Sequence, residues 1–307
     1  MSGTHTHNHA PAAAHAHSHG TLTSRAALAS MAMALTLLGL KIIAVLQTGS
    51  VAMLGSLADT GLDVLASLVT LFGVRFAAQP ADDNHSFGHG KAEALVAMFQ
   101  VFVITLSGIG IGWEAILRLI SGSAITENPE YGIGVSLFAI ILTGALVLYQ
   151  RSVVRRTGSV AIHADNVHYQ ADLMINFAVI IALVLDYYAH WHGADAVFGV
   201  LIAAWLLYGA YGASQAAVDQ LMDHEWPEEQ RAAFIKVAEQ HPELKGIHDL
   251  RTRSSGIRSF VQFHVWVDGN MTVAEAHRVM DEVEAQLMAE FPNTEILIHP
   301  DPEGHTD

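Results

Sequence analysis

Cysteine is absent from the chain. Disulfides, thiolate metal sites and thiol nucleophiles are thereby excluded, the redox compartment cannot be read from thiols, and any bound metal must be held by histidine and carboxylate. Charge is scarce as well. Only 15% of the 307 residues are Asp, Glu, Lys or Arg while 51% are hydrophobic, against about 25% charged in ordinary soluble domains, so a bilayer is the solvent to test first. Positive charge is the scarcest: 15 Lys and Arg stand against 30 Asp and Glu, for a formal net charge of −15. This balance argues against nucleic acid as a partner and toward cations. A secretory leader pattern is also missing, because the first twenty residues have no basic start or apolar centre.

What the chain does have is histidine, 19 in all, and long apolar runs. Runs of about 20 residues suffice to cross a bilayer as helices. Six are found, at approximately Ala26–Gln47, Val51–Ala78, Ala92–Ile120, Tyr131–Gln150, Ala171–Tyr188 (extended backward by a polar turn) and Ala196–Leu221. Short connections, such as the polar turn Thr48-Gly49-Ser50, make consecutive helices antiparallel neighbours. One set of flanks carries Arg25, Arg75, Lys91, Arg151, Arg155 and Arg156, while the other holds little beyond Lys41 and Arg118. The basic flanks predict that both termini are cytoplasmic.

Three segments follow: a His-rich tail over 1–24, a six-helix transmembrane domain over 25–222, and a soluble domain over 223–307. The tail carries His5, His7, His9, His15, His17 and His19 among small residues. It reads as a metal-chelating stretch with no core to bury, hence disordered. After the linker Asp223-His224-Glu225-Trp226-Pro227, apolar periodicity predicts a helix at Glu228–Gln240, strands at His248–Arg253 and Phe260–Asp268, a helix at Val273–Glu290 and a strand at Glu295–His299. The order αββαβ implies a small α/β domain with two helices over one face of a three-stranded sheet. Its sheet edges favour self-association.

Chemistry sits where the apolar runs are broken. Asp59 and Asp63 lie four apart in the second run, so both carboxylates project from one helix face near mid-membrane depth. His168 and Asp172 repeat the device in the fifth. Carboxylates at that depth are costly unless a cation or protons neutralise them. Together the four offer one nitrogen and three oxygens, a set that completes a tetrahedral Zn²⁺ shell without water. His163, Asp165 and Asn166 precede this site and read as a cytoplasmic vestibule, not as ligands. A site of carboxylates and neutral imidazole binds metal in competition with protons, so proton–metal antiport follows from the ligand chemistry. The nitrogen ligand favours Zn²⁺, Cd²⁺ or Fe²⁺ over Mn²⁺, and tetrahedral geometry favours Zn²⁺.

The ordered motifs Asp59-x-x-x-Asp63, Pro80 to Lys91 (PADDNHSFGHGK), His168-Tyr-Gln-Ala-Asp172, His248-Asp-Leu-Arg-Thr-Arg253 and Ile298-His-Pro-Asp301 give the chain its family likeness. It resembles the cation diffusion facilitator family, in particular its bacterial zinc and ferrous-iron efflux pumps, over nearly all of its length after residue 20. The resemblance implies that Asp59, Asp63, His168 and Asp172 form the transport site, and that Asp82, His85 and His89 form a site in the loop between the second and third helices. Such a loop trio leaves an open coordination position, which suits exchange; Asp83 is an alternative donor. The resemblance further implies a binuclear site of His248, His264, His277, His299 and bridging Asp301, and a Lys91–Asp223 salt bridge joining the two domains near a dimer axis. As a surface pair the bridge is worth under about 1 kcal/mol, which suits a hinge. Pro300 departs from the family pattern, which has Gln there, and puts any side-chain contact at that position across the dimer in doubt.

The expected activity is proton-coupled export of Zn²⁺, with Cd²⁺ or Fe²⁺ possible, by a homodimer in a bacterial inner membrane. No organic cofactor is expected, and Zn²⁺ serves as both cargo and regulator. Two other classes are alternatives. A non-transporting metal sensor or scaffold would use the soluble domain alone, and the intact four-ligand membrane set speaks against it. An intramembrane metalloenzyme needs a general base beside an open metal position, and no His-Glu-x-x-His is present to supply one.

Overall fold

The structure is a computed structural model, and it describes residues 10–48, 51–121, 129–189 and 193–304. Six long helices come first: α1 Ala10–Thr48, α2 Val51–Ala77, α3 Ala92–Ser121, α4 Pro129–Thr157, α5 Val160–Ala189 and α6 Ala194–Leu221. Among the described residues, five carry a stretch long and apolar enough to cross a membrane: His19–Ile43, Thr60–Ala77, Ala92–Ser121, Leu137–Thr157 and Ala194–Leu221. Part of the second half of α5 has side chains outside the described residues. Its first half carries His163, Asp165, Asn166, His168, Gln170 and Asp172, and the helix packs on α3, α4 and α6. Large apolar side chains such as Phe72, Leu95, Phe102, Trp113, Leu148 and Tyr208 point outward, a surface that suits acyl chains and not water.

α3 and α6 pack along each other more extensively than any other pair. Small residues permit it. A Cβ on Gly112 would lie 3.2 Å from that of Ala203, and one on Gly199 only 2.8 Å from that of Ala115, so the two backbones approach as small-residue seams allow.

Two expectations are corrected. The tail is helical from Ala10, where Ala-rich sequence favours helix without any core; residues 1–9, with His5, His7 and His9, and the turn residues Gly49 and Ser50 lie outside the described residues. Asp165 and Asn166 do not line a vestibule, being 1% and 2% exposed. Asp165 accepts hydrogen bonds from Ser30 Oγ (2.6 Å), Gln150 Nε2 (2.7 Å) and Gln100 Nε2 (3.3 Å), while Asn166 donates to Gln150 Oε1 and to the Val147 carbonyl. Lys41 turns its Nζ onto Thr60 of α2.

The C-terminal domain follows as α7 Glu228–Ala238, β1 Ile247–Ser255, β2 Arg258–Val267, α8 Val273–Glu290 and β3 Thr294–Pro302. The predicted αββαβ order is the observed one. β1 and β2 form an antiparallel hairpin, and α8 is the crossover that brings β3 parallel to β2. Val261, Phe263, Val265 and Val267 alternate onto one face and bury against Phe234 of α7 and Val279, Val283 and Leu287 of α8. The intervening residues, His264 and Trp266 among them, therefore stand on the face away from the helices. α8 starts at a capping box, with Thr272 accepting from the Glu275 backbone and Glu275 accepting from Thr272.

Candidate metal centres

α2 and α5 bring the first centre together. His168 Nε2 lies 3.1 Å from Asp63 Oδ1 and 3.8 Å from Asp172 Oδ2. These spacings bracket about 3.3 Å, the edge of a tetrahedron with metal–ligand bonds of about 2.0 Å. His168 is 7% exposed, and its ring meets Tyr169 edge-on at 5.5 Å. Tyr169 is pinned in turn by its hydroxyl, which donates to the Ser30 carbonyl and bonds Ser67 Oγ. Asp59 sits one turn before Asp63 on α2, and its side chain lies outside the described residues.

The second centre is a tight loop. Asp82 and His85 exchange backbone hydrogen bonds, folding the chain so that His85 Nδ1 and His89 Nε2 lie 3.2 and 3.3 Å from the Asp82 carboxylate. The backbone N–H of His85 holds the Asp82 carboxyl below its usual range, keeping it available as an anionic ligand. His89 donates from Nδ1 to the Pro80 carbonyl at 3.1 Å, which fixes the tautomer that presents an Nε2 lone pair.

Strand register builds the third. His248 pairs with His264 across β1–β2, and His264 pairs with His299 across β2–β3, so three imidazoles form one row on the face away from the helices. Asp301 lies beneath the row. Its carboxylate is 2.8 Å from His264 Nδ1, 3.2 Å from His248 Nε2 and 3.3 Å from His299 Nε2, and the His264 hydrogen bond holds it below the usual carboxylate range. Trp266 stacks on His248 at 4.4 Å and orients it. Within the single chain His277 stands outside this row. It sits on α8, which covers the opposite face, and pairs with Asp281 one turn away at 3.1 Å.

Within three trios, Asp63–His168–Asp172, Asp82–His85–His89 and His248–His264–Asp301, the ligand atoms lie within 4.8 Å of one another. Each trio mixes imidazole nitrogen with carboxylate oxygen, a donor set that fits Zn²⁺. Residues 27–222 match the cation efflux transmembrane domain. The chain belongs to the cation diffusion facilitator family. Residues 226–303 match the cytoplasmic domain of cation efflux proteins. The chain is 45% identical over 266 residues to the cation-efflux pump FieF of Escherichia coli, with 87% of this chain and 88% of the pump covered. The zinc form of the transporter CzrB is 37% identical, covering 28% of this chain and 98% of that structure at a TM-score of 0.27. The metal-bound C-terminal domain of CzcD from Thermotoga maritima is 23% identical, covering 27% and 100% at a TM-score of 0.25.

In this cation diffusion facilitator the membrane and C-terminal domains meet at Lys91, whose Nζ lies 3.0 Å from Asp223 Oδ1 and also donates to the Leu221 carbonyl. Sequence reasoning missed two parts of that junction, Phe87 and Arg253. The signal was available: an aromatic between two candidate ligand histidines, and an arginine ending the His248 strand motif. It also missed the acid–amide cluster around Asp165, announced by Ser30, Gln100 and Gln150, each a polar residue inside an apolar run.

Proposed function

We propose that the chain is a homodimeric antiporter of a bacterial inner membrane that exports Zn²⁺ in exchange for protons, with both termini cytoplasmic. The observation that carries this reading is the convergence of Asp63, His168 and Asp172 from two membrane helices, with Asp59 one turn away on α2. Three carboxylates and one imidazole bind a divalent cation in the form that lacks protons and lose it as they gain them. The empty, unprotonated site leaves negative charge in the membrane, so protons entering from the far side both displace the cargo and reset the site.

The loop trio and the His248–His264–His299 row are proposed as resident Zn²⁺ sites. The row stands on a sheet face that also exposes Leu297, a combination that suits a face shared with a second copy and stabilised by metal. The match of residues 226–303 to the cytoplasmic domain of cation efflux proteins supports pairing of two copies through it.

The test is Zn²⁺ flux into proteoliposomes under imposed pH differences of each sign. Acid on the release side is expected to accelerate flux and acid on the loading side to slow it; flux indifferent to the sign rules out antiport.

A further inference from the structure

We propose that Lys41 is a fixed counter-charge of the transport site, setting how tightly the divalent cargo is held. The inference rests on the transport reading above but concerns a residue outside the ligand set. α1 ends at Thr48 and α2 begins at Val51. At helical rise, Lys41 is therefore about 10 Å along α1 from that turn, and Thr60 is at a comparable depth on α2. A lysine so placed could extend its flexible stem back toward the turn and the membrane surface. It does the opposite. Lys41 Nζ donates to Thr60 Oγ1 at 2.6 Å, and Thr60 is 2% exposed. Thr60 follows Asp59 directly and lies three residues before Asp63, so the ammonium is directed at the layer of the site carboxylates.

Charge counting gives this placement a purpose. Three ionised carboxylates, a neutral imidazole and a divalent cation sum to one negative charge. A net charge inside the membrane is costly. The ammonium of Lys41 offsets that charge, and its repulsion keeps the cargo from being bound too tightly to leave. Removing the ammonium should therefore strengthen cargo binding and slow its release. Loss of a mere helix–helix tether predicts no tighter binding.

The experiment compares Zn²⁺ flux in proteoliposomes for the unaltered chain, Lys41→Met, Lys41→Arg and Thr60→Ala. For Lys41→Met, KM and kcat are expected to fall together, each by about tenfold, as removal of a nearby unit charge in a poorly screened site implies. Lys41→Arg keeps the charge and is expected to hold both values close to those of the unaltered chain. Thr60→Ala removes the hydrogen bond but not the charge, so its KM should not fall. If Lys41→Met does not assemble as the unaltered chain does, Lys41→Gln removes the charge while retaining a donor for Thr60. An unaltered or raised KM in the folded uncharged variant overturns the counter-charge. An unaltered chain that moves no metal overturns the transport reading itself, so the two failures are distinguishable.

Discussion

The guanidinium of Arg253 lies 4.6 Å from the centre of the Phe87 ring and 4.6 Å from that of Phe260. Phe87 belongs to the loop trio's own turn, between His85 and His89, whereas Phe260 lies near the start of β2, on the face away from the helices. Arg253 also reaches within 3.7 Å of Asp223, the partner of Lys91. One side chain thus joins the loop metal centre, the inter-domain ion pair and the soluble sheet. A lysine there would keep the charge but lose the planar stack.

Arg253→Ala is expected to loosen the loop without unfolding either domain. A cation–π contact at a partly exposed site is worth about 1 kcal/mol, equivalent to about fivefold faster opening. Amide hydrogen exchange over 80–91 should accelerate by that factor, and rates equal to those of the unaltered chain would remove the clamp.

Gly90 provides a separate test of the same junction. A Cβ there runs into the Ser255 carbonyl, which is backbone and cannot rotate away. Gly90→Ala should push the loop off the β1–β2 hairpin and lower the thermal midpoint of the purified chain. A midpoint unchanged by this substitution would mean that the contact is dispensable.

Cargo choice should follow the single nitrogen in the membrane site. His168→Asp makes the shell all oxygen and is expected to raise Mn²⁺ flux relative to Zn²⁺. Competition between the two ions in vesicles measures the ratio, and a ratio unmoved in folded protein takes His168 out of selectivity.

In the C-terminal centre, Asp301 and His277 should behave differently. Asp301→Ala removes the carboxylate shared by three imidazoles, so metal bound to that domain should weaken and transport should fall without vanishing. His277→Ala should leave that binding nearly intact, since His277 pairs with Asp281 on the other side of the domain. Calorimetric titration of the two variants against the unaltered chain decides it; equal losses would restore His277 to the site.

The capping box of α8 gives a pH prediction. The backbone N–H of Thr272 holds the Glu275 carboxyl below its usual range. A carboxyl depressed in the folded state stabilises above its unfolded value, about 4.3, and that contribution is lost as pH falls through the lower folded value. Glu275→Gln should flatten this acid limb in thermal melts of the C-terminal domain. Thr272→Ala should cost about 1 kcal/mol at neutral pH through loss of the cap.

Much of this was legible in the sequence because it depends on local spacing. Asp59/Asp63 and His168/Asp172 announce themselves as four-residue pairs inside apolar runs, and strand alternation placed β1, β2 and β3 within a few residues. What stayed hidden depends on which surfaces meet. The alignment of His248, His264 and His299 needs strand register, and the separation of His277 needs to be known from the face that α8 covers. The contact of Lys41 with Thr60 was hidden because sequence distance says nothing of where a flexible side chain turns. Asp165 was misjudged because its burial is decided by how α1, α3 and α4 pack around it, which spacing along the chain does not show.

That last cluster has a consequence for how the chain comes to be made. Ser30, Gln100 and Gln150 arrive on three different helices and must converge on one carboxylate of a fourth. A helix inserted one turn out of register would leave Asp165 under-bonded in a dry interior, at a cost of several kcal/mol. The acid therefore penalises any packing in which one of the three partner helices is out of register.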